Sequence, residues 1–494
     1  MSQPLFRSVL IANRGEISCR ILRTLRRMGI QGVAVFHRED RPSPHVAAAD
    51  VALEIDGSTP TAAYLDSEQI VATAKAAGVE AIHPGYGFLA ENADFAERVV
   101  AAGLSFIGPR PEVIRLMGDK VHARDFVVKH GFPVLPSVVQ TGNLESFCTE
   151  ASRLRFPLLI KAAAGGGGKG MIIVRTREEL LEKAPLAAGE AKRYFADGRI
   201  YTERYIERPR HIEVQVLGDG EGGAIHLFER ECSIQRRFQK IIEEAPSPTL
   251  SPALRDTICH TAVGITRAAR YTNAGTIEFI LAPDDTFYFL EMNTRLQVEH
   301  PVTELTTGLD LVAEQLFIAA GQGLRLRQDD VSARGHAIEC RISAEDPDHD
   351  FIPATGRVAL LRAPEGEGVR FDSGIREGQD ITPSFDPMLA KLIVWGDNRE
   401  TAITRMTRAL EELVLLGVQT NVDYLARIMR DEAFHAGALH TGFVVERATA
   451  LCPADVDDET QAAALVAAAL GIEDFRRLVS EVPEPYASIN RWRN

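Results

Sequence analysis

With 494 residues the chain exceeds what one hydrophobic core organises and should divide into about three domains or subdomains. Its 45% hydrophobic and 25% charged content is that of a soluble globular protein; a net charge of −14 excludes a general nucleic-acid binder, so an anionic substrate has to be held by a local Lys/Arg cluster. Met1 to Gly15 lacks the apolar core of a signal peptide, no apolar run approaches the ~20 residues of a membrane span, and the six scattered cysteines (19, 148, 232, 259, 340 and 452) have no paired spacing, which together predict a cytoplasmic protein.

Ser8 to Ala12 and Gly32 to Phe36 are apolar runs, and between them Glu16 to Met28 places Ile17, Ile21, Leu22 and Leu25 at helical spacing. That is a β-α-β unit opening an α/β domain with parallel strands. The loop Asn13-Arg14-Gly15-Glu16 has one glycine, so the dinucleotide fingerprint is absent and a nicotinamide cofactor is not expected. Ala81 to Leu89 joins a strand end to a glycine-bent loop, with Glu91 and Asn92 behind it, at the strand C-terminus where such sheets bind ligands. His83 within it reads first as a structural histidine.

Pro157 to Lys161 is a predicted strand, followed by Gly165-Gly166-Gly167-Gly168-Lys169-Gly170 and a second strand, Met171 to Arg175. A Walker A loop needs Gly-Lys-Ser/Thr and then a helix, which this is not. A β-hairpin lid fits, its glycines presenting backbone N–H groups to phosphate beside Lys161 and Lys169; the plain alternative is a flexible turn. Arg210 to Val216 is an alternating strand with His211, Glu213 and Gln215 on one face, and Gln235 to Lys240 is a basic cluster that reads equally as solvated surface.

Thr276 to Leu281 and Phe287 to Leu290 are strand-like, with Pro283-Asp284-Asp285 supplying the turn. Such a hairpin brings Glu278 to Glu291, with Asn293 adding an amide oxygen and Arg295 following on the same face. Two carboxylates and an amide suit Mg²⁺, which takes few protein oxygens; ordinary salt bridges on a solvated strand edge are the alternative. Gly335 to Ile342 is a further strand, carrying Arg341, and Ser384 to Lys391 leads into Leu392 to Trp395. Glu400 to Leu416 reads as one amphipathic helix, and from about Ala450 the chain turns acidic, then alanine-rich.

In unbroken order from Ser8 to Glu446, the segments IANRGEISCRI, HPGYGFLAEN, KAAAGGGGKGM, RHIEVQV, QKIIEEAP, EMNTRLQVEHPVTE and GHAIECRISAEDP resemble the biotin carboxylase component of biotin-dependent carboxylases, an ATP-grasp family. The GGGGKG form and FDPMLAKL look more like acyl-CoA carboxylase α-subunits than the free-standing acetyl-CoA carboxylase subunit. The resemblance implies a mixed α/β and α+β architecture. Its parts are a Rossmann-like pre-ATP-grasp domain at 1–118, an ATP-grasp domain at 119–330 with its lid at about 136–205, a C-terminal domain at 331–446 and a tail at 447–494. ATP would meet Lys120, Lys161, Gly166, Gly167, Gly168 and His211, with Glu203, Arg204, Tyr205 and Ile206 at the adenine. Glu278 and Glu291 would face its phosphates, and with Asn293 they would hold Mg²⁺ or Mn²⁺. Lys240, Arg295, Gln297 and Val298 would bind bicarbonate.

In the implied chemistry Glu299 is the general base, bicarbonate attacks the γ-phosphate to give carboxyphosphate, and Arg341 stabilises the enolate-like oxygen of biotin; Lys240 and Arg295 complete the catalytic set. The partners implied are a biotin carboxyl carrier protein and carboxyltransferase subunits, with a homodimer as the assembly and neither nucleic acid nor membrane. Another ATP-grasp carbon–nitrogen ligase, or a non-catalytic nucleotide-binding subunit, is the alternative. One residue departs from the family: Phe238 stands where many relatives carry His or Asn.

No Met-Lys-Met occurs, Lys391 is the last lysine, and the tail is too short for a carrier module of ~80 residues. Its acidic, proline-containing composition suits a docking segment or the stub of a longer subunit, or else an unordered terminus. The chain is therefore expected to carry no biotin and to act on a carrier in trans. Intact-mass measurement of protein made with ample biotin ligase should show no adduct, and an adduct would overturn the expectation.

Overall fold

A computed structural model describes residues 5–163, 171–195, 197–453, 459–460, 462–463 and 465–466. The predicted opening unit forms as read: the strand Ser8–Ile11 lies parallel to Gln31–Phe36, joined by the helix Gly15–Arg27, which buries Ile17, Ile21, Leu22 and Leu25 against the sheet. Gly15 starts that helix at φ 65°, a left-handed conformation that a side chain resists. Three further parallel strands, Val51–Glu54, Ala81–His83 and Ser105–Phe106, complete a five-stranded sheet.

The second sheet has eight strands and carries the chemistry. From one edge its order is Phe287–Asn293, Thr272–Leu281, Arg210–Asp219, Ala224–Arg236, Gln239–Ala245, His336–Ser343, Met388–Gly396 and Val369–Ser373. It runs without a break across residue 330, because Gln239–Ala245 pairs with His336–Ser343 (Ile242 opposite Cys340). The expected domain division there falls inside one hydrogen-bonded sheet. A third, four-stranded sheet (Ser137–Val139, Ile200–Arg204, Leu158–Ala162, Ile172–Val174) carries the helices Leu144–Ala151 and Arg177–Phe195 over the region read as the lid. The glycine run itself, with Gly166, Gly167, Gly168 and Lys169, lies outside the described residues.

The Thr272–Leu281/Phe287–Asn293 hairpin contains a device that simple alternation misses. Glu278 stands opposite Glu291, but Phe279 stands opposite Phe289, so Leu290 is an extra, unpaired residue. Without this bulge Phe287, Phe289, Glu291 and Asn293 would all share one face. With it Phe289 and Met292 enter the core beside Phe279, and Glu291 and Asn293 turn to the other side.

The helix expected over Glu400 to Leu416 is shorter, Arg399–Glu412. Leu413 already has extended backbone, and Val414–Leu416 pairs with Leu360–Arg362 until Gly417 ends it at φ 95°. Aliphatic residues that fit a pleated surface thus go to the sheet. Residues up to Leu451 form one compact unit; the tail from Cys452 forms another, and Pro483, Pro485 and most of its alanine-rich stretch lie outside the described residues. Among the described residues no helix is long and apolar enough to cross a membrane, and Cys19, Cys148, Cys232, Cys259 and Cys340 are free thiols.

Phe279 is fully buried and meets Phe287 edge-on at 5.5 Å. Phe279→Ala is expected to lower stability by about 3–5 kcal/mol, read as a lower midpoint of urea unfolding at unchanged slope. A loss under about 1 kcal/mol would show that this core does not hold the hairpin.

Candidate active site

The strand Arg210–Asp219 buries side chains on both faces, and on one of them its residues 211, 213 and 215 are polar. His211 Nε2 lies 2.8 Å from Glu278 Oε2, and its Nδ1 meets the Gln235 amide at 2.7 Å. Glu213 receives the guanidinium of fully buried Arg230, which also donates to Gln215 at 2.8 Å and Thr303 at 2.9 Å. At the centre is Lys240. Its ammonium donates to Glu213, to Glu278 at 2.8 Å and to Glu299 at 2.7 Å. The basic cluster is therefore not a solvated surface at its C-terminal end. A lone buried ion would be prohibitive; here three carboxylates share one lysine.

These contacts set the protonation states. Burial drives Glu278 and Glu299 toward the neutral acid. For Glu278 the Lys240 and His211 contacts outweigh it, and for Glu299 the Lys240, Arg341 and Arg230 charges do, so both stay well below the usual carboxylate range. Lys240 is held well above its ordinary value, because the three carboxylates outweigh its desolvation.

Glu278 is crowded further by the Asn293 amide at 2.8 Å and the Gln297 amide at 3.1 Å. Directly across the hairpin, Glu291 pairs with Lys120 at 2.9 Å. Two carboxylates facing each other on adjacent strands repel. That pair plus the Asn293 oxygen has the hard-oxygen chemistry that Mg²⁺ takes, with Lys240 on Glu278, Lys120 on Glu291 and Arg295 on Asn293 as the cations that face it. His211, Glu213 and Glu278 also bring ligand atoms within 4.8 Å of one another, but one of the three is an imidazole nitrogen, which a hard cation takes less readily than oxygen. Arg295 lies beyond the strand end and is aimed from outside: Glu91, from the loop after Ala81–His83, accepts from it at 3.0 Å, and Gln297 and Asn293 oxygens accept at 2.9 and 3.1 Å.

Arg341 enters from the strand His336–Ser343 and bridges two carboxylates, Glu243 at 2.7 Å and Glu299 at 2.9 Å. Burial pushes Glu243 up to about 7 in spite of Arg341. The group Lys120, Lys161, Glu203, Arg204, Tyr205, Ile206, His211, Lys240, Glu278, Glu291, Asn293, Arg295, Gln297, Val298, Glu299 and Arg341 surrounds a single cavity of about 430 Å³. Lys161 is ion-paired to Glu203 at its inner wall. His83 is structural, as read: fully buried, it contacts Gln315 at 3.2 Å and accepts from the Gly85 N–H at 3.0 Å.

Comparison with known proteins supplies the family. Residues 5–114 match "Biotin carboxylase, N-terminal domain", residues 119–327 "Carbamoyl-phosphate synthase L chain, ATP binding domain", and residues 339–446 "Biotin carboxylase C-terminal domain". The chain is 50% identical over 442 residues to the biotin carboxylase of Nostoc sp., covering 89% of this chain and 99% of that one. It is 48% identical over 443 residues to a pyruvate carboxylase subunit from Methanothermobacter thermautotrophicus, covering 90% of each. The biotin carboxylase domain dimer of Hydrogenobacter thermophilus 2-oxoglutarate carboxylase, solved with MgADP, ADP and bicarbonate, superposes with a TM-score of 0.88 at 44% identity, over 91% of this chain and 99% of that one.

The chain belongs to the biotin carboxylase family. Its fold is the ATP-grasp fold of that family, and it is an ATP-dependent carboxylating ligase. The middle match alone is shared with carbamoyl-phosphate synthases; the flanking biotin carboxylase domains decide, and one of them supplies Arg341. Sequence reading left Glu213, Arg230, Glu243 and the Glu91–Arg295 contact without a role. The alternation that marks His211 also marks Glu213, and Arg230 is a charge inside the mostly buried strand Ala224–Arg236; the Glu91 contact spans 204 residues and leaves no local trace.

Phe238 sits on the cavity wall at the tip of the Ala224–Arg236/Gln239–Ala245 hairpin, 51% exposed, with φ 67° next to Arg237 at φ 49°. A bulky ring in the left-handed region is strained, whereas His and Asn visit it more readily. Phe238→His is therefore expected to leave the melting temperature unchanged or higher and to tighten ATP binding by about 1 kcal/mol through one new hydrogen bond. Calorimetric titration with a parallel melting curve measures both, and unchanged affinity refutes the contact.

Proposed function

We propose that the chain carboxylates biotin on a separate carrier protein, using ATP and bicarbonate, as the biotin carboxylase component of an acyl-CoA-type carboxylase. One observation carries the residue assignment: the Glu299 carboxylate is held between Lys240 at 2.7 Å and Arg341 at 2.9 Å, one oxygen to each. That supports reading Glu299 as an ionised base between the half of the cavity assigned to the phosphoryl group and the half reached from the C-terminal domain.

Lys120, Lys161 and His211 hold the phosphates of ATP, and the segment Glu203 to Ile206 holds the base. Glu278, Glu291 and Asn293 hold Mg²⁺ or Mn²⁺, which neutralises and orients the transferring phosphoryl group when bound. Lys240, Arg295, Gln297 and Val298 bind bicarbonate, and Glu299 takes its proton, freeing an oxygen for in-line attack on the γ-phosphate. Carboxyphosphate splits into CO₂ and phosphate, phosphate takes the ureido N–H proton, and Arg341 gives charge-assisted donors to the negative oxygen that develops before the nitrogen attacks CO₂. The final acceptor is chosen by a partner carboxyltransferase, which accords with relatives named for different carboxylases. A homodimer is the proposed assembly, as in the Hydrogenobacter domain.

The two halves of the reaction are separable. Arg341→Ala is expected to cut biotin carboxylation by ~10²–10³ while sparing most bicarbonate-dependent ATP cleavage. Glu299→Gln is expected to suppress both, since no base remains. Release of ADP and formation of carboxybiotin, followed in parallel with free biotin as acceptor, measure the split. Equal loss of ATP cleavage in the two variants would sink the assignment, and bicarbonate-independent ATP cleavage in the parent chain would favour another ATP-grasp ligase.

A further inference from the structure

Lys391 lies in the strand Met388–Gly396, whose other residues are mostly apolar, and it is fully buried. It stands directly opposite Arg341 on one neighbouring strand and opposite Asp372 on the other. Residues opposite each other in antiparallel strands share a face, so two cations are placed side by side, an arrangement that repels. They separate in opposite directions. Arg341 reaches Glu243 and Glu299, as described, whereas the Lys391 ammonium donates to the Val298 carbonyl at 2.7 Å and lies 3.2 Å from Glu16 Oε1. Tyr86 lies nearby as well, its ring centroid 5.9 Å away and its hydroxyl donating to the same Glu16 oxygen.

Two observations show that Lys391 does more than fill space. First, Glu339 is fully buried on the strand His336–Ser343, and neither of its oxygens has a hydrogen-bond partner. Lys391 is the cation that most offsets its burial. Burial still holds Glu339 well above the usual carboxylate range, and Glu16 above it too, with Lys391 the cation that opposes the shift in each. Second, the group that Lys391 grips is a backbone carbonyl one residue before Glu299. The peptide is planar, so pinning the Val298 carbonyl also fixes the Glu299 N–H and Cα. Glu299 then starts the helix His300–Thr307 with no side-chain cap of its own. The grip is anchored on the first domain: a Cβ added at Gly374, just past the strand Val369–Ser373, would come within 2.6 Å of the Glu16 backbone nitrogen.

We infer that Lys391 is a positioning residue, holding the Val298–Glu299 peptide so that the base faces Lys240 and Arg341, and tying that peptide through Glu16 to the N-terminal sheet. It does not line the cavity. The inference rests on the reading above, in which Val298 and Arg295 belong to the bicarbonate site and Glu299 is the base. It makes Lys391 specific for bicarbonate use, because the groups assigned to ATP stand on other strands and helices.

The test is a KM split in the full-length chain. Lys391→Met, which keeps an unbranched apolar stem, is expected to raise the KM for bicarbonate at least tenfold and lower kcat, while the KM for ATP stays within twofold. Lys391→Arg should recover at least half of that loss. Should Lys391→Met not fold, Glu16→Gln slackens the same lysine from its other side and is expected to raise the bicarbonate KM about threefold, again with ATP unmoved. Hydrogen exchange supplies a readout independent of substrate: the amides of residues 298–300 should exchange at least tenfold faster in whichever variant folds, with the Arg210–Asp219 strand unchanged. A parallel rise in both KM values, no change in either, or unaltered exchange at 298–300 would overturn the role of Lys391. Arg295→Ala separates the two claims. If it raises the bicarbonate KM and the Lys391 variants do not, only the positioning role fails; if it does not, the bicarbonate site is wrongly placed and both fail.

Discussion

The ammonium of Lys240, shared by Glu213, Glu278 and Glu299, is the interaction on which the rest of the site depends. Each of those carboxylates is buried and comes from a different strand or loop, and each has a second cationic or imidazole partner of its own: Arg230 for Glu213, His211 for Glu278 and Arg341 for Glu299. Losing one member of such a set leaves an uncompensated charge, which is far worse than never having buried it. The arrangement is therefore weak evidence for stability and strong evidence for a fixed geometry. It fixes Glu213, Glu278, Glu299 and Lys240 relative to one another before any substrate arrives, and preorganised charge of this kind is what stabilises a developing anion.

Around that centre the architecture is a way of delivering charges from distant parts of the chain to one cavity. The eight-stranded sheet supplies His211, Lys240, Glu278, Glu291 and Arg341 from five of its strands. The five-stranded parallel sheet acts from behind: its loops and helices send Glu91 to aim Arg295 and Glu16 to meet Lys391. Lys120 arrives at the start of the helix Lys120–Lys129, and Lys161 from the four-stranded sheet. A site assembled from this many elements responds to relative movement of any of them, which suits an enzyme that must couple two reactions.

Much of this was legible in the residues. The β-α-β opening, the two-carboxylate hairpin and the polar face of Arg210–Asp219 follow from periodicity and turn residues, since side-chain direction in helices and strands is a local property. The family resemblance placed the site residues in order along the chain. Errors arose where a tertiary partner intervened. Val414–Leu416 left the expected helix because the strand Leu360–Arg362 was available to pair with it. The Leu290 bulge was invisible because a run of alternating residues gives no sign of where one residue is left out of the ladder.

What the sequence by itself determined is the inventory and its rough grouping: paired glutamates on a hairpin, a basic cluster at Gln235 to Lys240 and an arginine on a later strand. Those features depend on residue type and on spacings of a few positions, over which the backbone leaves little freedom. Only the tertiary structure decided which charge meets which. That Lys391 turns to Val298 and Glu16 while Arg341, its cross-strand neighbour, turns to Glu243 and Glu299 depends on contacts 42 to 98 residues apart for Arg341 and 93 for the Lys391–Val298 bond. Charges buried at such separations are paired by the requirement that none be left uncompensated in a low-dielectric interior, and that requirement is met only once the sheets have come together.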